Sequence, residues 1–172
     1  MRTSWVPRGE MEHILAALTA PNRLACEISL ATGLRIGDVL SLKADQIRAR
    51  FVIYEQKTGK RRAVYMPSAL LDRARRMAGH IYVFPHRYTG KQHRTRQAVF
   101  RDLKRAAKLF RISGNVAPHS LRKVYAVELF NRTKSVERIK KLLNHSDEAV
   151  TMLYAMADRV EQRVLDTKNY IS

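Results

Sequence analysis

One stretch of this chain has the period of a β-strand, and it is short. Phe51-Val-Ile-Tyr-Glu-Gln and Arg62-Ala-Val-Tyr-Met flank Lys57-Thr-Gly-Lys60, a turn containing a glycine. That pattern predicts a β-hairpin. Residues 46–49 are a candidate third strand ahead of it. The runs before and after carry helical spacing instead. The expected fold class is therefore α+β, mainly helical, with a small antiparallel sheet that carries Lys57 in its turn.

The helices are punctuated by proline, glycine and capping residues. Glu10 to Ala20 predicts a first helix. Pro21 can open the next, on which Leu24, Ile28 and Ala31 share a face. Gly33 would end it, leaving Arg35 at a turn ahead of a short helix over 36–42 with Asp38 in its first turn. Pro67-Ser68 begins a helix running to about Met77. Residues 86–97 form a polar loop, and Thr95 can cap the helix after it. Residues 112–118 form a loop, and helices are expected around 119–131, 135–143 and 147–155. A last amphipathic segment occupies about 159–168. No repeat, low-complexity tract or linker interrupts the 172 residues, so a single domain over 1–172 is expected, long enough for a real core.

Charge narrows the partner. Lys and Arg number 33 against 15 acidic residues, a formal charge of +18. Such an excess favours a polyanion, without choosing DNA over RNA. On the helix after Thr95, Val99, Leu103, Ala106 and Phe110 share one side. Arg101, Lys104, Arg105 and Lys108 form a basic stripe on another. A solvated face is the bland reading of that stripe; with this net charge, phosphate contact is the favoured one. Lys60 in the hairpin turn, Lys91, Arg94 and Arg96 in the polar loop, and Arg101 and Lys104 on the stripe are the candidate residues for binding a nucleic-acid backbone. No apolar run approaches the roughly 20 residues of a membrane span, and no signal-peptide stretch opens the chain. Cys26 is the only cysteine. It reads as a core residue in a reducing compartment, and a cytoplasmic location is expected.

Late in the chain His119-Ser-Leu-Arg122, His145 and Tyr154 follow in order, with Arg35 far upstream. Together they offer cations and hydrogen-bond donors for a phosphate, and a tyrosine able to attack it. His119 and Arg122 stand three apart, on one face of a helix whose N-terminus favours anions. Taken singly, each has an ordinary structural reading: a capping arginine, a loop histidine, a core tyrosine. The ordered set raises the functional reading above these.

The set resembles the catalytic domain of the tyrosine recombinase (phage integrase) family. The matching stretches are Ala31-Thr-Gly-Leu-Arg35-Ile-Gly-Asp38-Val-Leu-Ser-Leu, the Gln56-Lys57-Thr-Gly-Lys60 hairpin, Pro118-His-Ser-Leu-Arg122, and Leu143-Asn-His145-Ser-Asp-Glu-Ala-Val-Thr-Met-Leu-Tyr154. The resemblance covers about residues 10–160. It implies a site-specific DNA recombinase or integrase that cuts and rejoins strands through a 3′-phosphotyrosine intermediate, with neither metal nor ATP. No zinc-type Cys/His cluster or phosphate-binding glycine loop stands in the sequence. Arg35 and Arg122 would clamp the scissile phosphate, and His145 would donate a further hydrogen bond. His119 would assist proton transfer. Lys57, preferred to Lys60, would protonate the departing 5′-hydroxyl, and Tyr154 would be the nucleophile, ahead of Tyr125 and Tyr170. Asp38 would hold the arginine region in place.

Asn144 stands where the family often has glycine, and Lys123 where histidine is common. The chain leaves no room for the family's N-terminal DNA-clamping domain, so it is expected to be either the catalytic half of a longer protein or a naturally short member. The family also implies double-stranded DNA as partner and four subunits on two duplexes. Residues 156–172 would then dock on a neighbour through Val160, Val164 and Leu165. The competing readings are a type IB topoisomerase-like strand transferase, a non-cutting DNA-binding relative, and a basic RNA-binding protein.

Overall fold

Pro21 sets the first boundary. Helix α1 spans Arg8–Ala16 and α2 spans Ala20–Thr32, with Pro21 in its first turn. A single helix through Pro21 would lose a hydrogen bond and press the ring on the Ala17 carbonyl, so the expected first helix stops four residues short of Ala20. The computed structural model describes residues 3–143. Among them, α2 is the central element, packed on α1, on α3 (Ile36–Leu40), on α4 (Ser68–Met77) and on α5 (Arg96–Leu109). Leu24, Ala25, Cys26, Ile28 and Leu30 are buried along it. Burial, followed by the charges of Asp102 and Glu27, pushes the Cys26 thiol far up, which suits a core residue and not a nucleophile.

Gly33 closes α2 in the left-handed conformation at φ 67°, as its position predicts. There is no room for another residue: a Cβ at Gly33 would sit 2.4 Å from a ring carbon of Tyr125. The chain then turns through Arg35 into α3, all five residues of which are buried.

The hairpin consists of β1 (Arg50–Tyr54) and β2 (Arg61–Tyr65), antiparallel with Arg50 opposite Tyr65 and Tyr54 opposite Arg61. The third strand does not form. Gln46 N–H donates to the Lys43 carbonyl in a turn, and Met66 N–H reaching the Ala49 carbonyl is the last step of the ladder. Asp45-Gln46 lacks the apolar alternation a strand needs, and only Ile47 of residues 46–49 is buried.

Thr95 caps α5, its hydroxyl accepting from Ala98 N–H at 3.2 Å. Val99, Leu103 and Ala106 are buried as expected, whereas Phe110 lies at the C-cap and is 43% exposed. The described residues fall into two compact units, with the boundary after Tyr125 inside α6 (Pro118–Thr133). The second holds the end of α6, then Lys134 in the left-handed conformation at φ 50° and α7 (Val136–Leu143). Ser135 caps α7 by accepting from Arg138 N–H, and Ile139 and Leu143 are buried four residues apart on it. The helix expected at 147–155 and the segment at 159–168 lie outside the described residues. The fold class is the expected one: mainly helical with a small two-stranded antiparallel sheet.

Candidate active site

Three separate stretches of the first unit converge on a cleft of about 400 Å³. Arg35 enters from the turn after α2, Lys57 from the hairpin turn, and His119 with Arg122 from the start of α6. The cleft therefore brings together four of the six expected catalytic positions. His145 and Tyr154 lie outside the described residues.

The two arginines are held by buried oxygens. Arg122, 1% exposed, donates Nη1–H to the Gly33 carbonyl at 2.7 Å. Arg35 donates Nη1–H to Glu55 Oε2 at 2.8 Å. The Gly33 carbonyl also accepts from Arg62 Nη1 at 3.3 Å, and Arg62 Nη2 donates to the Thr32 carbonyl at 2.7 Å. These carbonyls are the negative end of α2, where a guanidinium is favoured. The glycine that ends the helix thus supplies the acceptor that aims Arg122.

Glu55 is the residue that sequence reasoning missed. Its side chain is fully buried and accepts from Arg35, from Arg62 Nη1 at 3.2 Å and from the Thr58 hydroxyl at 2.9 Å. Burial alone would raise its pKa. Hydrogen bonds from Thr58 and Arg35, the charge of Arg35 and the bond from Arg62 outweigh that and hold it below the usual glutamate range. One carboxylate so joins the first arginine to the turn that carries Lys57. A signal existed in the sequence. In the hairpin alternation Phe51, Ile53 and Glu55 share the inward face, and Arg62 stands opposite Ile53. Two opposite charges at inward positions of one hairpin predict a buried pair.

Asp38 is 3% exposed, and its Oδ1 accepts the Gln56 N–H at 2.9 Å, tying α3 to the hairpin turn. Burial pushes its pKa up, and the Gln56 bond and the two arginine charges only partly offset this. Asp38 therefore braces the arginine region through the backbone of the turn.

Lys57 lines the cleft, and Lys60, on the same turn, does not. His119 is exposed at the cleft rim, in the first turn of α6. Of the six candidate DNA-binding residues, Arg96 reaches the cleft: its Cδ would lie 3.2 Å from a Cβ at Gly37. Lys60, Lys91 and Arg101 are exposed outside it. Arg94 is turned partly inward, with Nε donating to Asn22 Oδ1 at 2.5 Å, and Lys104 donates to Asn115 Oδ1. Both have structural partners that the sequence did not reveal.

A cleft with two anchored guanidiniums, a lysine, a histidine and a helix N-terminus suits a tetrahedral, anionic, oxygen-rich group such as a phosphodiester. Comparison with known proteins agrees. The sequence profile of the Phage integrase family matches residues 4–161. The chain is 31% identical over 153 residues to the tyrosine recombinase XerD of Mycobacterium tuberculosis, covering 81% of this chain and 49% of that protein. Among solved structures it superposes on lambda integrase (residues 75–356), a dimer bound to a COC′ core site. There the TM-score is 0.74 and the identity 25%, with 88% of this chain and 59% of that one covered. A lambda integrase tetramer bound to a Holliday junction shares the fold at TM-score 0.70 and 24% identity, over 88% of this chain and 48% of that one. The chain thus spans about half the length of the mycobacterial relative.

Proposed function

The chain belongs to the phage integrase family, and from that membership and the cleft we propose that it is the catalytic part of a site-specific DNA recombinase. The observation that carries this reading is the convergence of Arg35, Lys57, His119 and Arg122 on one cleft from three distant stretches of sequence.

In the proposed reaction the Tyr154 oxygen attacks the scissile phosphorus. A bond from tyrosine to phosphorus forms, and the bond from phosphorus to the 5′-oxygen breaks. Lys57 gives the departing oxygen its proton, and His119 assists proton transfer at the attacking side. Arg35 and Arg122 neutralise the charge that builds on the non-bridging oxygens. Their anchoring on Glu55 and the Gly33 carbonyl supports this role, because preorganised donors need no rearrangement in the transition state. His145 donates one more hydrogen bond. The phosphodiester energy stays in the 3′-phosphotyrosine link, so a second 5′-hydroxyl can reverse the step on a new partner strand. Duplex DNA is the proposed substrate, and cytoplasm the proposed compartment. Four copies on two duplexes, joined through residues 156–172, are the proposed assembly; the lambda integrase tetramer on a Holliday junction supports it.

The test is a covalent trap. The protein is mixed with nicked duplexes that lose the short 5′-hydroxyl fragment after cleavage, over a pool of sites at low salt. A denaturation-resistant adduct is expected from the parent and none from Tyr154→Phe. An adduct that survives in Tyr154→Phe would move the nucleophile to Tyr125 or Tyr170. Binding without any adduct would favour a non-cutting relative.

A further inference from the structure

The hairpin has a second face, and the cleft does not use it. Arg50, Val52 and Tyr54 of β1 and Arg61, Ala63 and Tyr65 of β2 all point away from the core. The register pairs them as Arg50–Tyr65, Val52–Ala63 and Tyr54–Arg61. Tyr54 is 71% exposed, Tyr65 64% and Val52 39%. Two large rings left in water on so small a sheet are unusual unless something covers them. A shallow hollow lies at the Arg50–Tyr65 end, over Val52 and Ala63. No carboxylate stands on this face, and each ring has an arginine directly across the ladder, about 5 Å away between Cβ atoms. None of the four Tyr and Arg side chains makes a hydrogen bond or ion pair among the described residues. They are not held in structural contacts as Arg62 and Glu55 on the inner face are.

We propose that this outward face of the hairpin binds single-stranded DNA, stacking bases on Tyr54 and Tyr65 while Arg50 and Arg61 meet the phosphates. The chemistry selects the ligand. Cations without acids call for a polyanion. Exposed rings add affinity only where base faces are open, which they are in a single strand and are not in a duplex. A second copy of the same face is disfavoured because it would bring like charges together in a chain of formal charge +18. Tyr54 and Tyr65 lie four residues apart along the ladder, about 14 Å at roughly 3.4 Å per residue, which leaves room for a short run of nucleotides between the rings. Placement gives the face a purpose. Tyr54 is three residues from Lys57, so the face begins beside the turn that lines the cleft. The inference rests on the reading of that cleft as the place where a strand is cut: the strand freed beside Lys57 would be held on the hairpin and kept from drifting before it is rejoined.

The experiment measures anisotropy of a labelled oligothymidine strand and of a matched duplex with the full chain at low salt. The parent is compared with Tyr54→Ala, Tyr65→Ala and the double variant. Tyr54→Phe and Tyr65→Phe keep a stacking ring and serve as the controls for folding. Each ring lost should raise the single-strand dissociation constant about tenfold, with the duplex constant unchanged and the Phe variants like the parent. Arg50→Ala with Arg61→Ala should weaken single-strand binding and flatten its salt dependence. Equal losses for single strand and duplex would overturn the proposal and make the face a duplex contact. Unchanged single-strand binding would overturn it outright, and so would a change confined to sedimentation, which would mark a protein interface. The covalent trap on the same preparations keeps the two readings apart. An adduct from the parent with no effect of the rings sinks the face alone. Ring-dependent single-strand binding with no adduct keeps the face and removes the reading of the cleft.

Discussion

Glu55 shows how much can hang on one side chain. Its carboxylate sits between two guanidiniums and the Thr58 hydroxyl, out of water. Removing it leaves the buried guanidinium of Arg62 short of a counter-charge and takes away one anchor of Arg35. Glu55→Ala is expected to destabilise the fold by about 3 kcal/mol, read as a lower urea midpoint at neutral pH; an unmoved midpoint would mean the pair carries no net stability. The pH dependence has a definite sign. The folded protein holds Glu55 below its ordinary value. Its contribution is therefore present above about pH 4.3, the ordinary glutamate value, and is lost as pH falls through the lower folded value. Asp38 is raised, so its contribution runs the other way: present below about pH 3.9, lost as pH rises through the higher folded value. Glu55→Gln isolates the first effect. The stability gap between parent and Glu55→Gln should stay level from pH 6 to about pH 5 and narrow below about pH 4.3 in urea titrations, and a gap that widens would refute the assignment.

Between elements, the joint that positions α5 is a single aspartate. Asp102 accepts from Thr19 N–H and the Thr19 hydroxyl, both at 2.9 Å, and from Asn22 Nδ2 at 2.7 Å. Thr19 is the N-cap of α2 and makes no side-chain cap of its own, so the neighbouring helix supplies the acceptor. Arg105 adds an ion pair from the exposed side at 2.7 Å. Asp102→Ala removes the acceptor of three hydrogen bonds, of which the one from Asn22 is buried, and should cost about 2 kcal/mol, whereas Arg105→Ala should cost under about 1 kcal/mol. Chemical denaturation of the two variants checks the order, and a reversal would place the weight on the surface pair. The same joint governs Arg96, which opens α5 and reaches the cleft. Tilting α5 should therefore weaken DNA binding even though Asp102 touches no phosphate.

For the molecule as a whole, the formal charge of +18 should govern the proposed association with DNA. Phosphate contacts release counterions, so each one contributes about 0.9 to the slope of log affinity against log salt. Arg101 is exposed on the basic stripe, and Lys104 beside it is bonded to Asn115. Arg101→Ala should flatten the slope for duplex DNA by about 0.9 on many sequences alike, and Lys104→Ala should flatten it less. Salt titrations of binding check this; an unchanged slope in Arg101→Ala would show that the stripe faces solvent.

The class of fold was legible in the sequence, and so was the pattern that points to a phosphate ligand. Period-two alternation around Lys57 located the hairpin, Gly33 and Pro21 set helix ends, and the order of Arg35, His119 and Arg122 pointed to phosphate. These signals are local, because a turn or a helix end is decided within a few residues. Outside the hairpin, the partners of the charges follow from tertiary packing alone. Nothing near Arg122 predicts that the Gly33 carbonyl holds it, and nothing near Arg94 predicts Asn22, because each pair joins residues more than 70 apart in the chain. Desolvation has no local signature: an arginine reads the same in sequence whether water or a buried carboxylate meets it. Packing chose which cations of the loop and of α5 gained structural partners, as with Arg94, and which were left exposed, as with Arg101.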